Sequence, residues 1–217
     1  TPPAAYRRLV APDQRTAPSF LFESVEGGAN QSRYSILGSR PAHHIIAREH
    51  HITSEPASDT KHSPFQSTTL PPNAAADPFA AIKHLASTIT VPTPDEPRHA
   101  PTLPDTFTAG WVGFAAYDTV RYAEPERIPF SAAPPDHRNL PDLHFAFYPG
   151  AVVFDHATKL ITATQLAIIK PGDDPRDAHE HAAEELQRTI DALRQQTPTV
   201  TTALYTPPTP KNNHHEL

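Results

Sequence analysis

The sequence predicts an α+β fold, with mostly antiparallel sheets and with helices on the outside. About seven segments have the length and the apolar alternation of strands, and short turn-like connections join most of them as hairpins. Two longer segments carry apolar residues at helical spacing. Residues 151–154 and 166–169 are apolar on both strand faces, which predicts that another layer packs against each face of the sheet.

Composition limits the class of protein before any element is placed. The chain has 217 residues, a hydrophobic fraction of 37% and 27 clustered prolines, which predicts a folded body with proline-rich loops. Its net charge of −6 includes no basic run, so we expect no nucleic-acid partner and no anionic membrane surface. No apolar run approaches the ~20 residues of a membrane span. The chain has no cysteine, which excludes disulfides and is compatible with the cytoplasm, our expected location.

The first third of the chain predicts one helix and four strands. Thr1 and the two prolines after it predict a short helix that reaches Leu9, because threonine caps free amides and proline fits the first turn. Strands are expected at residues 19–25, 33–37, 43–48 and 51–54. Gly27 and Gly28 predict a turn, and the polar residues 55–76 predict a loop.

Two helices and three strands are expected in the remainder. Asp77 before a proline predicts the start of a helix that ends before Pro92, and Asp174 before a proline predicts the start of the last helix. Strands are expected at residues 107–117, 143–154 and 160–170, of which the last two form the clearest hairpin. Gly110 and Gly113 predict a close approach of another backbone to the first of these strands.

Most histidines and glycines predict structure rather than chemistry. The 14 histidines show no metal-ligand spacing, since adjacent pairs such as His43-His44 point to opposite faces of a strand. We therefore predict solvated or loop histidines and no metal site. The pair Gly27-Gly28 lacks a following Gly-Lys-Ser/Thr, so a turn is predicted there and not a phosphate loop.

Asp118 and Arg121 form a charged pair just after a strand that should be buried. A buried guanidinium requires a partner. We therefore predict a structural role, in which the two side chains pair with each other or hold a neighbouring loop. A catalytic role has no support, because no second carboxylate or histidine is placed beside them.

Glu23 and Ser24 are two polar residues within an apolar strand. The hydroxyl and main chain of Ser24 suit the ammonium or carboxylate of a ligand, and the carboxylate of Glu23 suits an amino group. Alternatively, the serine packs against its own sheet. The residues alone leave both interpretations open.

Five segments, taken together, carry a family resemblance. They are residues 1–6, 20–28, 33–38, 110–122 and 140–145. The most distinctive read Phe-Leu-Phe-Glu-Ser-Val-Glu-Gly-Gly and Gly-Trp-Val-Gly-Phe-Ala-Ala-Tyr-Asp-Thr-Val-Arg-Tyr. In this order, over nearly the whole chain, they resemble the amino-terminal region of anthranilate synthase component I. The aminodeoxychorismate synthase component I is a close relative that shares this layout.

The resemblance implies that a carboxy-terminal chorismate-binding region completes a two-sheet sandwich with helices outside. That family converts chorismate and ammonia to anthranilate and pyruvate with Mg²⁺, and a glutamine amidotransferase subunit supplies the ammonia. Its acid/base residues and metal-binding glutamates belong to the carboxy-terminal region, so no catalytic residue, metal or cofactor is expected in this chain. Residues 1–200 are expected to form the amino-terminal domain, and residues 201–217 a linker to a chorismate-binding domain outside this sequence.

One motif implies a regulatory role. The Leu-Leu-Glu-Ser motif of the family lines a feedback site for L-tryptophan, and it corresponds to residues 21–24 with Phe22 in place of the second leucine. The resemblance therefore implies Ser24 as the first tryptophan contact, followed by Glu23 and Phe22, with Tyr34 as a further contact. The rest of the pocket would come from the carboxy-terminal region, so that tryptophan would stabilise one placement of the two regions.

Three functions agree with the sequence. The first is the scaffold and feedback-binding part of anthranilate synthase component I, in tryptophan biosynthesis. The second is the same region of aminodeoxychorismate synthase, on the route to folate. The third is a free-standing amino-acid-binding module without a catalytic half. In the first two cases an apolar sheet face would lie bare in this chain by itself, which predicts aggregation, self-association or marginal folding.

Overall fold

The computed structural model describes residues 1–10, 18–23, 33–57, 63–70, 77–90 and 103–196. The strands in this part of the chain are β1 (Phe20–Glu23), β2 (Tyr34–Gly38), β3 (His43–Arg48), β4 (His51–Pro56), β5 (Thr68–Leu70), β6 (Gly110–Ala115), β7 (Leu143–Tyr148), β8 (Gly150–Asp155) and β9 (Leu160–Gln165). The helices are α1 (Pro2–Leu9), α2 (Pro78–Ser87), α3 (Val120–Ala123) and α4 (Pro175–Arg194).

The described strands form two sheets. A four-stranded sheet has the order β1-β2-β8-β9, and a five-stranded sheet has the order β5-β4-β3-β7-β6. All of these pairings are antiparallel. The α+β fold predicted from the sequence, with antiparallel sheets and helices outside, is confirmed.

The two sheets pack against each other face to face. Phe20 and Ile36 of the four-stranded sheet contact Ala146 and Tyr148 of the five-stranded sheet. The rings of Phe20 and Tyr148 meet edge to face, with their centroids 4.8 Å apart. This interface is the innermost layer of the core, as the apolar strand faces predict.

Helices cover the outer faces of both sheets. Leu37 of the four-stranded sheet lies in a cluster with Leu9 of α1 and Leu193 of α4. Ile45 of the five-stranded sheet lies in a cluster with Leu85 of α2. The order of layers is therefore helices, sheet, sheet, helices.

The prediction of a single strand at residues 143–154 is wrong, because the chain forms two strands there. β7 ends at Tyr148 and β8 begins at Gly150, and the two belong to different sheets. Pro149 lies between them, and a proline has no amide hydrogen with which to continue a strand ladder. The chain thus crosses from the five-stranded to the four-stranded sheet at this proline.

Further boundaries differ from the prediction, among them that of the strand expected at residues 107–117, which spans Gly110–Ala115. The loop predicted at residues 55–76 contains β5, whose Thr69 pairs with Thr53 of β4. The strand predicted to reach residue 170 ends at Gln165. Beyond it, Leu166 and Ile168 pack against a buried cluster around Phe147, so their apolar character reflects core packing rather than a longer strand.

The predicted helix starts are confirmed, although one of the reasons is wrong. The Asp77 and Asp174 carboxylates accept hydrogen bonds from the second residue of α2 and of α4, as N-caps do. Thr1 precedes α1, but its side chain makes no cap hydrogen bond. Its carbonyl oxygen instead accepts the amide hydrogen of Ala5.

Three predicted features lie outside the described residues: Ser24, the turn at Gly27-Gly28 and the linker at residues 201–217. Within the part of the chain that the structure describes, no helix has both the length and the apolar character required to cross a membrane.

Candidate functional site

The described residues of the predicted tryptophan site lie where β1 ends and β2 begins. Phe22 and Glu23 are the last two residues of β1, and Tyr34 is the first residue of β2. In the antiparallel register Phe22 lies opposite Ile36 and Glu23 lies opposite Ser35. These three candidates therefore share one end of the four-stranded sheet.

The sheet separates these candidates by face. Successive strand residues point to opposite faces, so Phe22 and Tyr34 share the face on which Phe20 and Ile36 meet the five-stranded sheet. Glu23 lies on the other face. The structure thus brings the two aromatic candidates together and places Glu23 apart from them.

Phe22 offers an exposed aromatic surface on this shared face. Its side chain is 55% exposed, and its ring centroid lies 5.0 Å from that of the buried Phe20. Phe20 in turn contacts Phe107 and Tyr148 edge to face. An exposed ring on a packed aromatic base suits contact with another flat apolar group.

An ion pair fixes the chain next to Tyr34. The Arg33 guanidinium donates to both carboxylate oxygens of Asp155, with a shortest distance of 2.8 Å, and its Cζ lies 4.9 Å from the centroid of the Tyr34 ring. Asp155 also accepts the amide hydrogens of Ala157 and Thr158. The hydrogen bond from Arg33, followed by those from Thr158 and Ala157, holds the pKa of Asp155 below its ordinary value. This end of the four-stranded sheet is therefore anchored to the β8–β9 turn.

Asp118 and Arg121 form a salt bridge that ties α3 to the segment after it. Arg121 Nε lies 2.7 Å from Asp118 Oδ1, and Arg121 Nη1 donates to the carbonyl oxygen of Pro129 at 3.0 Å. The Arg121 side chain is only 9% exposed, whereas that of Asp118 is 46% exposed. The guanidinium thus has two acceptors inside the protein, as the predicted structural role requires.

Tyr122, in the same sequence motif, makes a second long-range contact, a hydrogen bond that the sequence did not predict. Its hydroxyl donates to Asp142 Oδ2 at 3.0 Å, and the same oxygen accepts the amide hydrogen of Glu49 at 2.6 Å. Burial, followed by the nearby Asp142 carboxylate, raises the pKa of Tyr122 above its ordinary value. Two of the segments that carry the family resemblance, residues 110–122 and 140–145, are thus joined by a hydrogen bond.

Replacing Arg121 tests the structural use of this salt bridge. We expect Arg121→Met to lower the free energy of unfolding by about 2 kcal/mol, since the Pro129 carbonyl loses its donor and the Asp118 carboxylate loses its charge partner. Urea unfolding followed by circular dichroism measures the change. The exposed Arg127, whose nitrogen lies 3.9 Å from Glu124, is the matched control, and Arg127→Met should cost less than about 0.5 kcal/mol. Equal costs for the two variants would contradict the assignment.

The prediction that the histidines are solvated or in loops is wrong for His43, which is completely buried on β3. Its Nδ1 lies 2.7 Å from Ser63 Oγ, and its Nε2 lies 2.7 Å from Ser54 Oγ. Both ring nitrogens are thus satisfied by hydroxyl groups, which allows the neutral ring to be buried. Among the described residues, no three His, Asp or Glu side chains form a group that could hold a metal ion.

A cleft of about 1160 Å³ lies between α4 and the ends of β2 and β8. Arg40 and Arg188 in its lining both contact the Glu185 carboxylate, at 3.4 and 2.8 Å. Of the predicted site residues that the structure describes, none lines this cleft. The cleft is therefore separate from the surface formed by Phe22 and Tyr34.

Comparison with known proteins gives three informative relatives, although no protein-family model matches the chain. The anthranilate synthase alpha subunit 1, chloroplastic, of Oryza sativa subsp. indica is 39% identical over 196 residues, which cover 89% of this chain and 32% of the relative. The subunit of the same name from Arabidopsis thaliana is 44% identical over 162 residues, which cover 73% of this chain and 25% of the relative. The anthranilate synthase component 1 of Acinetobacter calcoaceticus is 31% identical over 188 residues, which cover 86% of this chain and 33% of the relative.

The chain belongs to the anthranilate synthase component I family.

It corresponds to the amino-terminal region of that family and spans a quarter to a third of the length of these relatives. A crystal structure of anthranilate synthase component I from Streptococcus pneumoniae TIGR4 is similar to it in fold, with a TM-score of 0.50 and 20% identity over 88% of this chain and 36% of that one. The family resemblance inferred from the five segments is thus confirmed.

Proposed function

We propose that this chain is the amino-terminal scaffold and the tryptophan feedback-binding part of an anthranilate synthase component I. The observation that supports this proposal is the similarity of most of the chain to anthranilate synthases of plants and bacteria. The relatives described above carry that name and none is named an aminodeoxychorismate synthase, which favours the first of the three functions considered.

The proposed division of labour places the chemistry elsewhere. The complete enzyme would convert chorismate and ammonia, or glutamine, to anthranilate and pyruvate. Its carboxy-terminal region would bind chorismate and Mg²⁺, and a glutamine amidotransferase subunit would supply ammonia. We assign no catalytic step to this chain alone. The cytoplasm is the proposed location, while the plant relatives carry the word chloroplastic in their names.

The aromatic pair on β1 and β2 supports the proposed inhibitor site. Phe22 and Tyr34 lie on one face of the sheet, and the Phe22 ring is exposed. An indole ring would pack against such rings, with an expected gain of about 1 kcal/mol beyond apolar burial. Ser24 follows Phe22 by two residues and would offer a hydroxyl to the charged amino-acid end of the ligand.

Inhibition of the full-length enzyme tests this site. We expect Ser24→Ala to raise the L-tryptophan concentration for half-maximal inhibition by about tenfold or more, because losing one hydrogen bond to a charged group costs about 1.5–3 kcal/mol. Phe22→Ala should produce a rise of similar size. Anthranilate fluorescence over a tryptophan titration gives both values.

Phe79 of α2 is the matched control, since it is also an exposed phenylalanine but belongs to a helix on the other sheet. Phe79→Ala should leave the tryptophan dependence unchanged. Unchanged inhibition in both Ser24→Ala and Phe22→Ala would overturn the proposed site. Micromolar tryptophan binding by the 217-residue chain alone, measured by calorimetry, would favour the free-standing module instead.

A further inference from the structure

Two consecutive residues where β8 ends, Asp155 and His156, hold the chain on both sides of Tyr34. Asp155 is the last residue of β8 and lies directly opposite Tyr34 in the antiparallel register. Its carboxylate accepts hydrogen bonds from Nε and Nη2 of Arg33, the residue before Tyr34. We call Asp155 and His156 together the clamp.

His156 supplies two further contacts of the clamp. Its amide donates to the carbonyl oxygen of Arg33 at 2.8 Å, and its Nε2 lies 2.7 Å from Oγ of Ser35, the residue after Tyr34. Ser35 is buried, and it lies on the sheet face opposite to that of Tyr34. The clamp therefore holds the residue before Tyr34 by its side chain and its main chain, and the residue after Tyr34 by its side chain.

The Arg33 guanidinium links the clamp to the Tyr34 ring. Its Cζ lies 4.9 Å from the ring centroid, a distance at which a cation is attracted to an aromatic face. The Asp155 carboxylate that binds the guanidinium is only 10% exposed, and it also accepts the amide hydrogens of Ala157 and Thr158. A planar guanidinium that is bound through two of its nitrogens has little freedom to rotate. The Tyr34 ring thus has a fixed neighbour.

The strand on the other side of β2 gives Tyr34 less support. The β1–β2 pairing that the structure describes ends at Glu23 opposite Ser35, one residue short of Tyr34. Tyr34 is only partly buried, although it pairs with β8. Among the described residues, the strand contacts that hold this end of β2 in place therefore come from β8 and the clamp.

We propose that the clamp sets the affinity of the tryptophan site by holding Tyr34 in the orientation that contacts the ligand. This inference rests on the proposed function, in which Phe22 and Tyr34 lie against the indole ring. A ring that is already fixed loses no freedom on binding, and the cost of immobilising one side chain corresponds to about a twofold to tenfold loss of affinity. Arg33 and the clamp are thus positioning residues, which act on the ligand through Tyr34.

Tryptophan inhibition of the full-length enzyme tests the clamp, with the rate of each variant expressed as a fraction of its own uninhibited rate. We expect Arg33→Met to raise the tryptophan concentration for half-maximal inhibition by about twofold to tenfold. His156→Ala should raise it as well. His156→Gln should keep the native value, because the side-chain amide of glutamine can still donate to Ser35 or accept from it.

Arg40 offers a matched control beyond the other end of β2. Its side chain is 48% exposed, against 51% for Arg33, and it also contacts a carboxylate of a distant element, that of Glu185 on α4. Arg40→Met should leave the tryptophan dependence unchanged. A rise as large as that of Arg33→Met would show that any lost arginine weakens inhibition, and it would overturn the proposal.

A double variant shows whether Arg33 acts through Tyr34. Tyr34→Ala removes the ring that the clamp orients, so adding Arg33→Met to it should raise the half-maximal concentration further by no more than about 1.5-fold. A further rise as large as that of Arg33→Met alone would mean that the guanidinium acts on tryptophan directly, and it would overturn the positioning role. Native inhibition in Arg33→Met, or failure of His156→Gln to keep the native value when His156→Ala loses it, would also overturn the proposal.

The variants of the site itself separate the two possible failures. If Ser24→Ala and Phe22→Ala shift the inhibition and Arg33→Met does not, the proposed function stands and the role of the clamp is wrong. If none of the three shifts the inhibition, the proposed site is wrong, and so is the role of the clamp.

Discussion

Gly113→Ala is expected to lower the free energy of unfolding by about 3 kcal/mol or more, at the upper end of the range for an overpacked site. A Cβ atom at this position would lie 2.1 Å from the carbonyl oxygen of His144 and 2.5 Å from the Cα of Phe145. Both of these atoms belong to the backbone of β7, which also pairs with β3. The added methyl group would therefore clash with main-chain atoms in the middle of a sheet, and these atoms cannot move aside by a change of rotamer.

Relief of this contact requires β6 to move away from β7. This movement would disturb the edge of the five-stranded sheet that carries Trp111, whose ring packs on Phe65 and Phe147. Because Trp111 is the single tryptophan of the chain, its fluorescence reports directly on that displacement. Thermal unfolding followed by this signal should show a fall of roughly 6–12 °C in Tm for a protein of this size.

Gly172→Ala is the appropriate control for the steric part of this effect. Gly172 has φ of 94°, so alanine is strained there as well, but a Cβ atom would meet nothing within 4 Å. This control should cost on the order of 1 kcal/mol, from backbone conformation alone. If both substitutions cost the same, the close approach of β7 to Gly113 has no energetic consequence and the explanation is wrong.

Gly113 also shows what local sequence can predict. Glycines in a strand indicate close approach of another backbone, and at Gly113 the structure identifies that backbone as β7. At Gly110 the prediction is wrong, because a Cβ atom there would meet only the Phe107 side chain. Aspartate followed by proline predicts the starts of α2 and α4, because side-chain capping and the fixed φ of proline are properties of two adjacent residues. Such predictions depend on no knowledge of the rest of the fold.

Contacts between distant residues could not be predicted in this way. Arg33 and Asp155 are 122 positions apart, and they meet because β2 pairs with β8 in one register. A shift of that register by one residue would turn the side chains to the opposite face. The sequence similarly gives no sign that Tyr122 reaches Asp142. The separation of Glu23 from Phe22, in contrast, follows from the alternation of side chains along a predicted strand.

Acidification is expected to destabilise the chain between about pH 6.5 and pH 4 through His43. Burial of the ring, assisted by the neighbouring His44, lowers the pKa of His43 to about 4, whereas an unfolded histidine has a pKa of about 6.5. Between these values the unfolded chain binds a proton that the folded chain does not. The stability contributed by neutral His43 is therefore complete above pH 6.5, falls as the pH falls, and is exhausted near pH 4.

The expected loss is roughly 3 kcal/mol, because each unit of pKa difference is worth about 1.4 kcal/mol. Urea unfolding at several pH values, followed by Trp111 fluorescence, measures this loss. The rings of His43 and Trp111 lie 6.2 Å apart, so the fluorescence of the folded chain should also change as His43 becomes protonated near pH 4.

His43→Gln should reduce the slope of the unfolding free energy against pH by up to the contribution of one bound proton. The neutral amide can still bond to Ser54 and Ser63, but it does not titrate. The variant will be less stable than the native chain at pH 7, and the comparison therefore rests on the slope of stability against pH, not on its value. His51→Gln, at an exposed position of β4, should leave the slope as it is in the native chain. His44 and His144 also have lowered pKa values because of burial, so some slope should remain in every variant. If His43→Gln retains the full native slope, the acid sensitivity is due to His44 and His144 and not to His43.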